Sequence, residues 1–365
     1  MKIECSRDKL VEAIGKAEKI TGKNLTLPVL SCILFEAQGR NLILRATNLD
    51  IGIEIALPVK VEVEGKVAVP GSIINSFVSN VQSKNIHLEV VEGNLKVTSD
   101  TTTTVIKSIN NEDFPTIPKL EGEKTLILNA KELIRGIKGV WYSSAQSSMK
   151  PELSSVYVYS EDDTAVFVAT DSFRLAEKKI KIKNAKDISS ILIPVKNVSD
   201  ILRVLEGCSG DVDVSISKNQ ISFNYEGVYL TSRVVDGVFP DYRQIIPKDY
   251  KTNITLLKQD LIGALKIATI FSDKFNKLTI KAHPSEKLFE LSTRNADVGE
   301  NSNRLEAVTE GEDVDINFNY KYITDCFQSV ESDSVSLEFN GLTRPLIIRG
   351  VNDKSFMYLV MPINK

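Results

Sequence analysis

The sequence has little of what catalytic and metal-binding proteins use most often. Only two histidines and four cysteines occur in 365 residues, and no two cysteines are spaced as a CxxC pair. This scarcity argues against a zinc ribbon, a disulfide scaffold and a histidine-rich metal site, and it fits a reducing cytosol. We therefore expect a cytoplasmic protein that uses no metal and no other cofactor.

Long apolar runs are also missing. The longest weakly polar run covers residues 26–35, whereas a membrane span needs about 18 residues. The first ten residues lack the apolar stretch of a signal peptide. The composition, 42% hydrophobic and 25% charged, is that of a folded globular chain. At roughly 100–200 residues per domain, the length predicts two or three domains and no membrane segment.

The chain repeats itself three times, with a period of about one third of its length. An apolar strand that ends in a threonine recurs at Thr47, Thr170 and Thr293, each 123 residues after the last. An amphipathic helix precedes each strand, and a further strand leading into a second helix follows it. The apolar stripes of the first helices begin at Leu10, Leu133 and Leu261. Strand-like alternation fills the rest, so each repeat reads as an α+β module of strands with two helices. The predicted domains are residues 1–122, 123–250 and 251–365.

Basic residues cluster on the polar faces of these helices. For any one helix a solvated face is the simplest interpretation, but the bias recurs in most of the six. The net charge of −3 opposes nucleic-acid binding only if charge is spread evenly. A shared basic surface would instead favour a phosphate backbone, held by charge rather than by sequence. The residues are Lys9, Lys16, Lys19, Lys84, Lys131, Arg135, Lys138, Lys196, Arg203, Lys258, Lys266 and Lys321.

Catalytic motifs are missing as well. The sequence has no GxxxxGK[ST] phosphate loop, no GxGxxG turn, no HExxH and no GxSxG elbow. Asp50, Asp171 and Asp297 recur with the repeat. A group repeated three times is more typical of structure than of catalysis. We therefore expect each aspartate to accept a hydrogen bond from a nearby backbone N–H, and we expect no enzyme activity.

Several runs of residues, spread in order over the whole chain, give it a family resemblance. The chain resembles the bacterial sliding clamps, the beta subunits of DNA polymerase III. The runs are Thr-Leu-Pro-Val-Leu at 26–30, Ala-Thr-Asp-x-x-Arg-Leu-Ala at 169–176, Val-Asp-Gly-x-Phe-Pro-Asp-Tyr-Arg at 235–243, Lys-Phe at 274–275 and Val-Met-Pro at 360–362.

The resemblance implies a fold and a function. It implies three similar clamp domains per chain and a head-to-tail homodimer. The dimer would be a ring with helices on its inner wall and sheet on its outer wall. Such a ring encircles duplex DNA without sequence specificity and confers processivity on the replicative DNA polymerase. The polymerase, the clamp loader and other proteins carrying a clamp-binding motif would dock on it through short peptides.

The resemblance also implies three sets of site residues. The peptide-binding pocket would comprise Leu153, Thr170, Arg174, Leu175, Pro240, Ile245, Leu359, Met361 and Pro362. The DNA-facing residues would be Lys23, Asn24, Lys196 and Arg203. The dimer interface would join Ile270 and Phe271 of one chain to Ile109 of the other.

The chain departs from the family at the rim of this pocket. Ser172 and Phe173 stand where the family usually has Gly and then His or another polar residue, and Gln244 stands where a second Arg is frequent. The rim is therefore expected to prefer a somewhat different peptide.

Two other classes of protein fit parts of the pattern. A non-catalytic, β-rich structural repeat protein would explain the triplication, but it would be expected to carry a signal peptide and no basic helices. An enzyme with an unrecognised site is the third alternative. Native mass discriminates between them, because the clamp interpretation requires twice the mass of one chain.

Overall fold

The computed structural model describes residues 1–22, 26–120, 125–147, 149–182 and 190–363. Six α-helices occur in these ranges, two in each third of the chain. They are α1 (Arg7–Ile20), α2 (Gly71–Asn80), α3 (Ala130–Lys138), α4 (Val195–Leu205), α5 (Lys258–Ala268) and α6 (Tyr320–Asp325). The predicted pair of helices per repeat is confirmed.

The strands of the first repeat are β1 (Lys2–Ser6), β2 (Cys32–Gln38), β3 (Asn41–Thr47), β4 (Ile51–Pro58), β5 (Lys60–Val63), β6 (Gly65–Pro70), β7 (Asn85–Val91), β8 (Asn94–Thr98) and β9 (Thr103–Ile106). Those of the second repeat are β10 (Thr125–Asn129), β11 (Ser155–Glu161), β12 (Thr164–Thr170), β13 (Arg174–Lys181), β14 (Ile191–Pro194), β15 (Asp211–Ile216), β16 (Gln220–Tyr225) and β17 (Val228–Arg233). Those of the third repeat are β18 (Thr252–Leu257), β19 (Lys277–His283), β20 (Leu288–Asn295), β21 (Gly299–Arg304), β22 (Val308–Gly311), β23 (Val314–Asn319), β24 (Ser334–Phe339), β25 (Leu346–Gly350) and β26 (Phe356–Val360).

The chain forms two compact units. The first contains residues 1–134 and 196–236, and the second contains residues 135–195 and 237–365. In the first unit, a five-stranded sheet has the order β5-β1-β7-β8-β9, and an eight-stranded sheet has the order β10-β15-β16-β17-β4-β3-β2-β6. In the second unit, a nine-stranded sheet has the order β14-β11-β12-β13-β26-β25-β24-β18-β22, and a four-stranded sheet has the order β21-β20-β19-β23.

The pairing of β17 with β4 and of β13 with β26 makes two long antiparallel sheets. In each case a strand that ends one repeat pairs with a strand that follows the repeated threonine of the repeat before it. The inward residues of these strands are aliphatic and buried. Ile53 and Leu230, for example, lie directly opposite each other, and both have no solvent exposure. This alternation is what the period-two pattern of the sequence predicts.

Helix α1 shows how the apolar stripe builds the core of the first unit. Leu10, Ile14 and Ala17 recur at i, i+4 and i+7 and are fully buried. Burial of a leucine or isoleucine side chain, such as those of Leu10 and Ile14, contributes about 1.5–3 kcal/mol relative to exposure. Asp8 in the first turn and Lys19 in the last turn complement the helix dipole. None of the helices in the described part of the chain combines the length and the apolar character that crossing a bilayer requires.

Candidate functional sites

Three neighbouring strands of the second unit hold the centre of the predicted peptide pocket. Thr170 of β12 lies opposite Leu175 of β13, and Leu175 lies opposite Leu359 of β26. Residues directly opposite in antiparallel strands share one face of the sheet. All three are buried, as is Leu153 just before β11. These four residues would therefore form the floor of the predicted pocket rather than an open wall.

The turn between β12 and β13 is fixed by side-chain hydrogen bonds. The Thr170 hydroxyl donates to the Arg174 carbonyl oxygen (2.6 Å) and accepts from the backbone N–H of Ser172 (3.2 Å). The Asp171 carboxylate accepts from the backbone N–H groups of Phe173 and Arg174, both at 3.0 Å. Ser172 has φ 78°, a left-handed conformation that favours glycine. The resemblance gives glycine as the usual residue at this position, and glycine adopts this conformation without strain. The turn presents Phe173 at the surface, 60% exposed.

Arg174 is held by four groups. Its guanidinium pairs with Asp171 (2.9 Å) and Asp325 (2.5 Å), and it donates to the Tyr142 carbonyl oxygen (2.7 Å). It also lies 4.7 Å from the centre of the Tyr322 ring. Burial opposes its charge, but Tyr358, Asp325 and Asp171 outweigh burial and raise the pKa of Arg174. Arg174 is therefore a rigid cation at the edge of the predicted pocket.

The C-terminal segment lies against the same turn. The backbone N–H of Met361 donates to the Phe173 carbonyl oxygen (2.8 Å), and that of Ile363 donates to the Asn317 carbonyl oxygen (2.8 Å). Pro362, between them, has no N–H to donate. Met361 and Pro362 are both partly exposed. The predicted tail residues thus lie beside Phe173 with surface open to solvent.

Pro240 and Ile245 belong to a segment that is attached to β11 and β13 of this sheet. Tyr242, between them, is buried and donates its hydroxyl to the Glu177 carboxylate of β13 (2.5 Å). Phe239 stacks on Tyr157 of β11 with ring centroids 4.7 Å apart. These anchors leave Pro240 and Ile245 exposed, Ile245 by 48%.

Sequence reasoning missed the partners that fix the site. Asp325 follows Arg174 by 151 residues, and Tyr242 is joined to Glu177 across 65 residues. Neither pairing has a local sequence signal. The hydrogen bond between Met361 and Phe173 is related to the repeat of the sequence, because a corresponding bond joins Arg233 to Asp50.

Two of the four predicted DNA-facing residues, Lys23 and Asn24, lie outside the described residues. Lys196 and Arg203 are two helical turns apart on α4, so they share one face of that helix. Both are exposed. Each has an acidic neighbour: Lys196 pairs with Asp50 (2.7 Å) and Arg203 with Asp200 (3.2 Å). Their charge is therefore partly compensated.

The structure corrects two expectations about the basic helix faces and the repeated aspartates. Lys16 is not on the outer surface, because it pairs with Glu12 (2.8 Å) and lies 5.5 Å from the Tyr225 ring centre, with a 13% exposed side chain. The hydrogen bonds expected of Asp50 are accepted instead by Asn48, which binds the backbone N–H groups of Asp50 and Ile51, both at 3.0 Å. The expectation for Asp171 is confirmed.

The predicted interface residues differ in exposure. Ile270 is 64% exposed in the turn that follows α5, and Phe271 is partly exposed beside it. The Phe271 ring lies over Gly299 of the edge strand β21, since a Cβ there would be 3.8 Å away. Ile109 of the first unit is half-buried, and its backbone N–H donates to the Ala68 carbonyl oxygen (3.0 Å).

The described residues contain no group of three or more His, Cys, Asp or Glu arranged to hold a metal ion. All four cysteines are buried and unpaired. Burial raises the pKa of the Cys5 thiol to about 12, and a nearby Glu4 charge adds to the effect. The predicted peptide site instead combines exposed apolar side chains with the cation Arg174, an arrangement that suits binding.

Three family models match the chain in succession. The N-terminal domain of the DNA polymerase III beta subunit matches residues 1–118, its central domain residues 127–241 and its C-terminal domain residues 243–364. The three matches cover nearly the whole chain, in the family's own order.

Individual proteins match over the same length. The beta sliding clamps of Staphylococcus epidermidis and Staphylococcus aureus are 25% and 24% identical to this chain over 373 residues, covering 100% of it and 99% of each relative. Among solved structures, a DNA polymerase sliding clamp from Bacillus subtilis has a TM-score of 0.95 at 25% identity. A DNA polymerase III beta subunit from Thermotoga maritima has 0.94 at 26% identity. Each of these matches also covers 100% of this chain and 99% of the other. They do not favour the structural repeat protein.

Proposed function

Because the chain belongs to the DNA polymerase III beta subunit family, we propose that it acts as a dimeric ring that encircles duplex DNA and tethers the replicative polymerase. It is a sliding clamp, a non-catalytic processivity factor of DNA replication. One observation carries this conclusion. Three different domain models of one family match the chain in sequence, with two helices inside each matched range.

In this proposal the domains are residues 1–122, 123–250 and 251–365, and the two chains join head to tail. The first domain of one chain contacts the third domain of the other. Support comes from two strands whose outer edge is free among the described residues: β9 ends the five-stranded sheet and β21 ends the four-stranded one. A free edge invites pairing with another chain. Phe271 lies over β21, so Ile270 and Phe271 would add apolar contacts to such a pairing. A head-to-tail contact whose rotation closes gives a ring.

DNA would be held by linkage rather than by tight binding. Lys196, Arg203, Lys23 and Asn24 would face it, so duplex DNA of any sequence would suit. The ion pairs of Lys196 and Arg203 support weak contact, because each lysine or arginine must be shared between a carboxylate and a phosphate. Diffuse contacts of this kind let a ring slide.

Proteins would dock at the surface formed by Arg174, Pro240, Ile245, Met361 and Pro362 above the buried floor. The proposed partners are the replicative polymerase, the clamp loader and other proteins with a clamp-binding peptide. The mixture of aliphatic groups, a methionine and one fixed cation is typical of peptide recognition. The cytoplasm is the proposed location.

Primer extension on a primed single-stranded circle tests the proposal. With the clamp loader and polymerase, the protein should lengthen the products made in one binding event. Deleting residues 361–365 should remove this effect and the binding of a peptide with a Gln and a pair of Leu/Phe anchors, since Met361 and Pro362 are lost. A truncated protein that still binds the peptide with unchanged affinity would contradict the site. No lengthening by the intact protein would contradict the function.

A further inference from the structure

The first unit contains a cavity of about 260 Å³ in the turn that follows the first repeated threonine. Its lining includes Leu49, Ile51, Pro115, Ile117, Thr231 and Arg233. We call it the first-turn cavity. It is slightly smaller than the roughly 300–1,000 Å³ of pockets for drug-sized ligands, so it suits one or two side chains rather than a large cofactor.

The backbone of this turn repeats that of the peptide site in detail. The Thr47 hydroxyl donates to the Ile51 carbonyl oxygen (2.9 Å) and accepts from the backbone N–H of Leu49 (3.0 Å). These are the bonds made by Thr170 with Arg174 and Ser172. Leu49 has φ 78°, as Ser172 does.

The incoming strand is also placed alike. The backbone N–H of Arg233 donates to the Asp50 carbonyl oxygen at 2.8 Å, as that of Met361 does to Phe173. Arg233 thus stands at the position of Met361, and Ile51 at that of Arg174. The peptide site therefore has its cation, Arg174, in the turn, whereas the first-turn cavity has its cation, Arg233, at the end of the neighbouring strand.

Charge at the mouth of the cavity indicates what would bind. The carboxylate of Asp50 pairs with Lys196 at 2.7 Å, which partly compensates its charge. Arg233 is exposed, and within the described ranges its guanidinium has no carboxylate partner. An unpaired guanidinium beside an apolar cavity favours a ligand with a carboxylate next to an apolar side chain. The floor formed by Ile51, Thr231 and Ile117 is buried.

The side chain of Ile117 fills part of the space above this turn and so narrows the cavity. Ile117 lies over Gly52, since a Cβ on Gly52 would be 3.1 Å from the Ile117 side chain. The residue at the corresponding place in the second repeat is Tyr242, which instead reaches Glu177. Ile117 therefore occupies space that a ligand would share, so binding should be weaker than at the peptide site.

We propose that the first-turn cavity is a second, weaker peptide-binding site, which takes a Leu- or Phe-sized side chain and an adjacent carboxylate of an extended peptide. The class of ligand rests on the proposed function, because the likeness to the peptide site suggests it. The cavity and its cation are independent of that function.

Methyl NMR with labelled isoleucines on the intact dimer tests this, since Ile51 and Ile117 report on the cavity and Ile245 on the peptide site. The probe is acetyl-Gln-Asp-Leu-Phe-Gly amide, added to about 1 mM. We expect Ile51 and Ile117 signals to shift at peptide concentrations at least tenfold higher than Ile245. The cavity shifts should persist after deletion of residues 361–365. If the Ile51 and Ile117 signals of the intact protein do not shift at a peptide concentration of about 1 mM, the inference is overturned. If only Ile245 fails to respond, the peptide site of the proposed function is wrong instead.

Three variants separate the role of the cation from general effects. Arg233→Glu should abolish the Ile51 and Ile117 shifts and leave that of Ile245, whereas Arg233→Lys should retain all three. Arg40→Glu is the matched control, because Arg40 is an exposed arginine just before β3, at the end of that strand opposite to Thr47. It should change none of them. Cavity shifts that survive Arg233→Glu unaltered would contradict the proposed recognition of a carboxylate.

Discussion

The hydroxyl groups of Tyr159 and Tyr242 lie 2.8 Å apart and form the middle of a hydrogen-bonded chain. Arg243 donates to Tyr159 (2.8 Å), and Tyr242 donates to Glu177 (2.5 Å). These hydrogen bonds attach the segment that carries Pro240 and Ile245 to β11 and β13. The position of two exposed pocket residues therefore depends on hydroxyl groups that no ligand need touch.

Tyr242→Phe should loosen this segment. The free energy of unfolding should fall by about 1–2 kcal/mol, because a buried hydrogen bond is lost and the Glu177 carboxylate loses a donor. Peptide affinity should fall several-fold, measured by fluorescence anisotropy. Tyr250→Phe, the same change at a 56% exposed tyrosine of the same unit, is the control and should change neither. Unchanged peptide affinity in Tyr242→Phe would show that the chain of hydroxyls does not position the site.

Changing Ile270 and Phe271 to aspartate should produce folded monomers. The two carboxylates would lie without partners in an apolar contact between chains, which is strongly unfavourable. Sedimentation should give the mass of one chain, with the far-UV circular dichroism of the intact protein. Val238→Asp, at an 88% exposed residue of the second repeat, outside the proposed contact between first and third domains, should remain dimeric. A dimer that survives the double substitution would refute the assignment of these residues to the interface.

Replacing Lys196 and Arg203 by glutamate should weaken DNA binding at low salt. The affinity of the unaltered dimer for duplex DNA should fall steeply as salt rises, since it comes from a few phosphate contacts. The double variant should bind less and have a shallower salt slope. Lys218→Glu, an exposed lysine between β15 and β16, makes the same change of charge per residue and should have little effect. Salt-insensitive, sequence-specific binding to a short duplex would contradict this interpretation.

Stability should decline at alkaline pH partly through Cys5. Burial raises the pKa of its thiol to about 12 in the folded protein, whereas an unfolded thiol ionises near 8.5. The folded state therefore holds its proton longer, and the free energy of unfolding falls as pH rises from about 9 to about 12. Urea titrations of Cys5→Ala should show a smaller fall over this window than the unaltered protein. Equal falls in both proteins would show that Cys5 does not contribute.

Sequence periodicity was enough to predict the repeated modules of the fold, but it could not predict the contacts that fix the site. The threefold recurrence of Thr47, Thr170 and Thr293 and the helical stripes predict strands and helices, because burial imposes those periods. The same period misplaced Lys16 on an outer face, since Tyr225 and Gly207, far away in the chain, cover it. Arg174 and Asp325, which are 151 residues apart, are likewise brought together by tertiary packing. No local sequence pattern predicts such pairs.

The most direct test of the clamp is retention on circular as against linear DNA. The protein is loaded by a clamp loader and ATP onto a nicked circular duplex, separated from free protein on a sizing column in high salt, and the DNA is then cut once. A ring held by linkage should stay with the closed circle through the salt wash and slide off after the single cut. Equal retention on circular and linear DNA, or loss from both at high salt, would contradict encirclement.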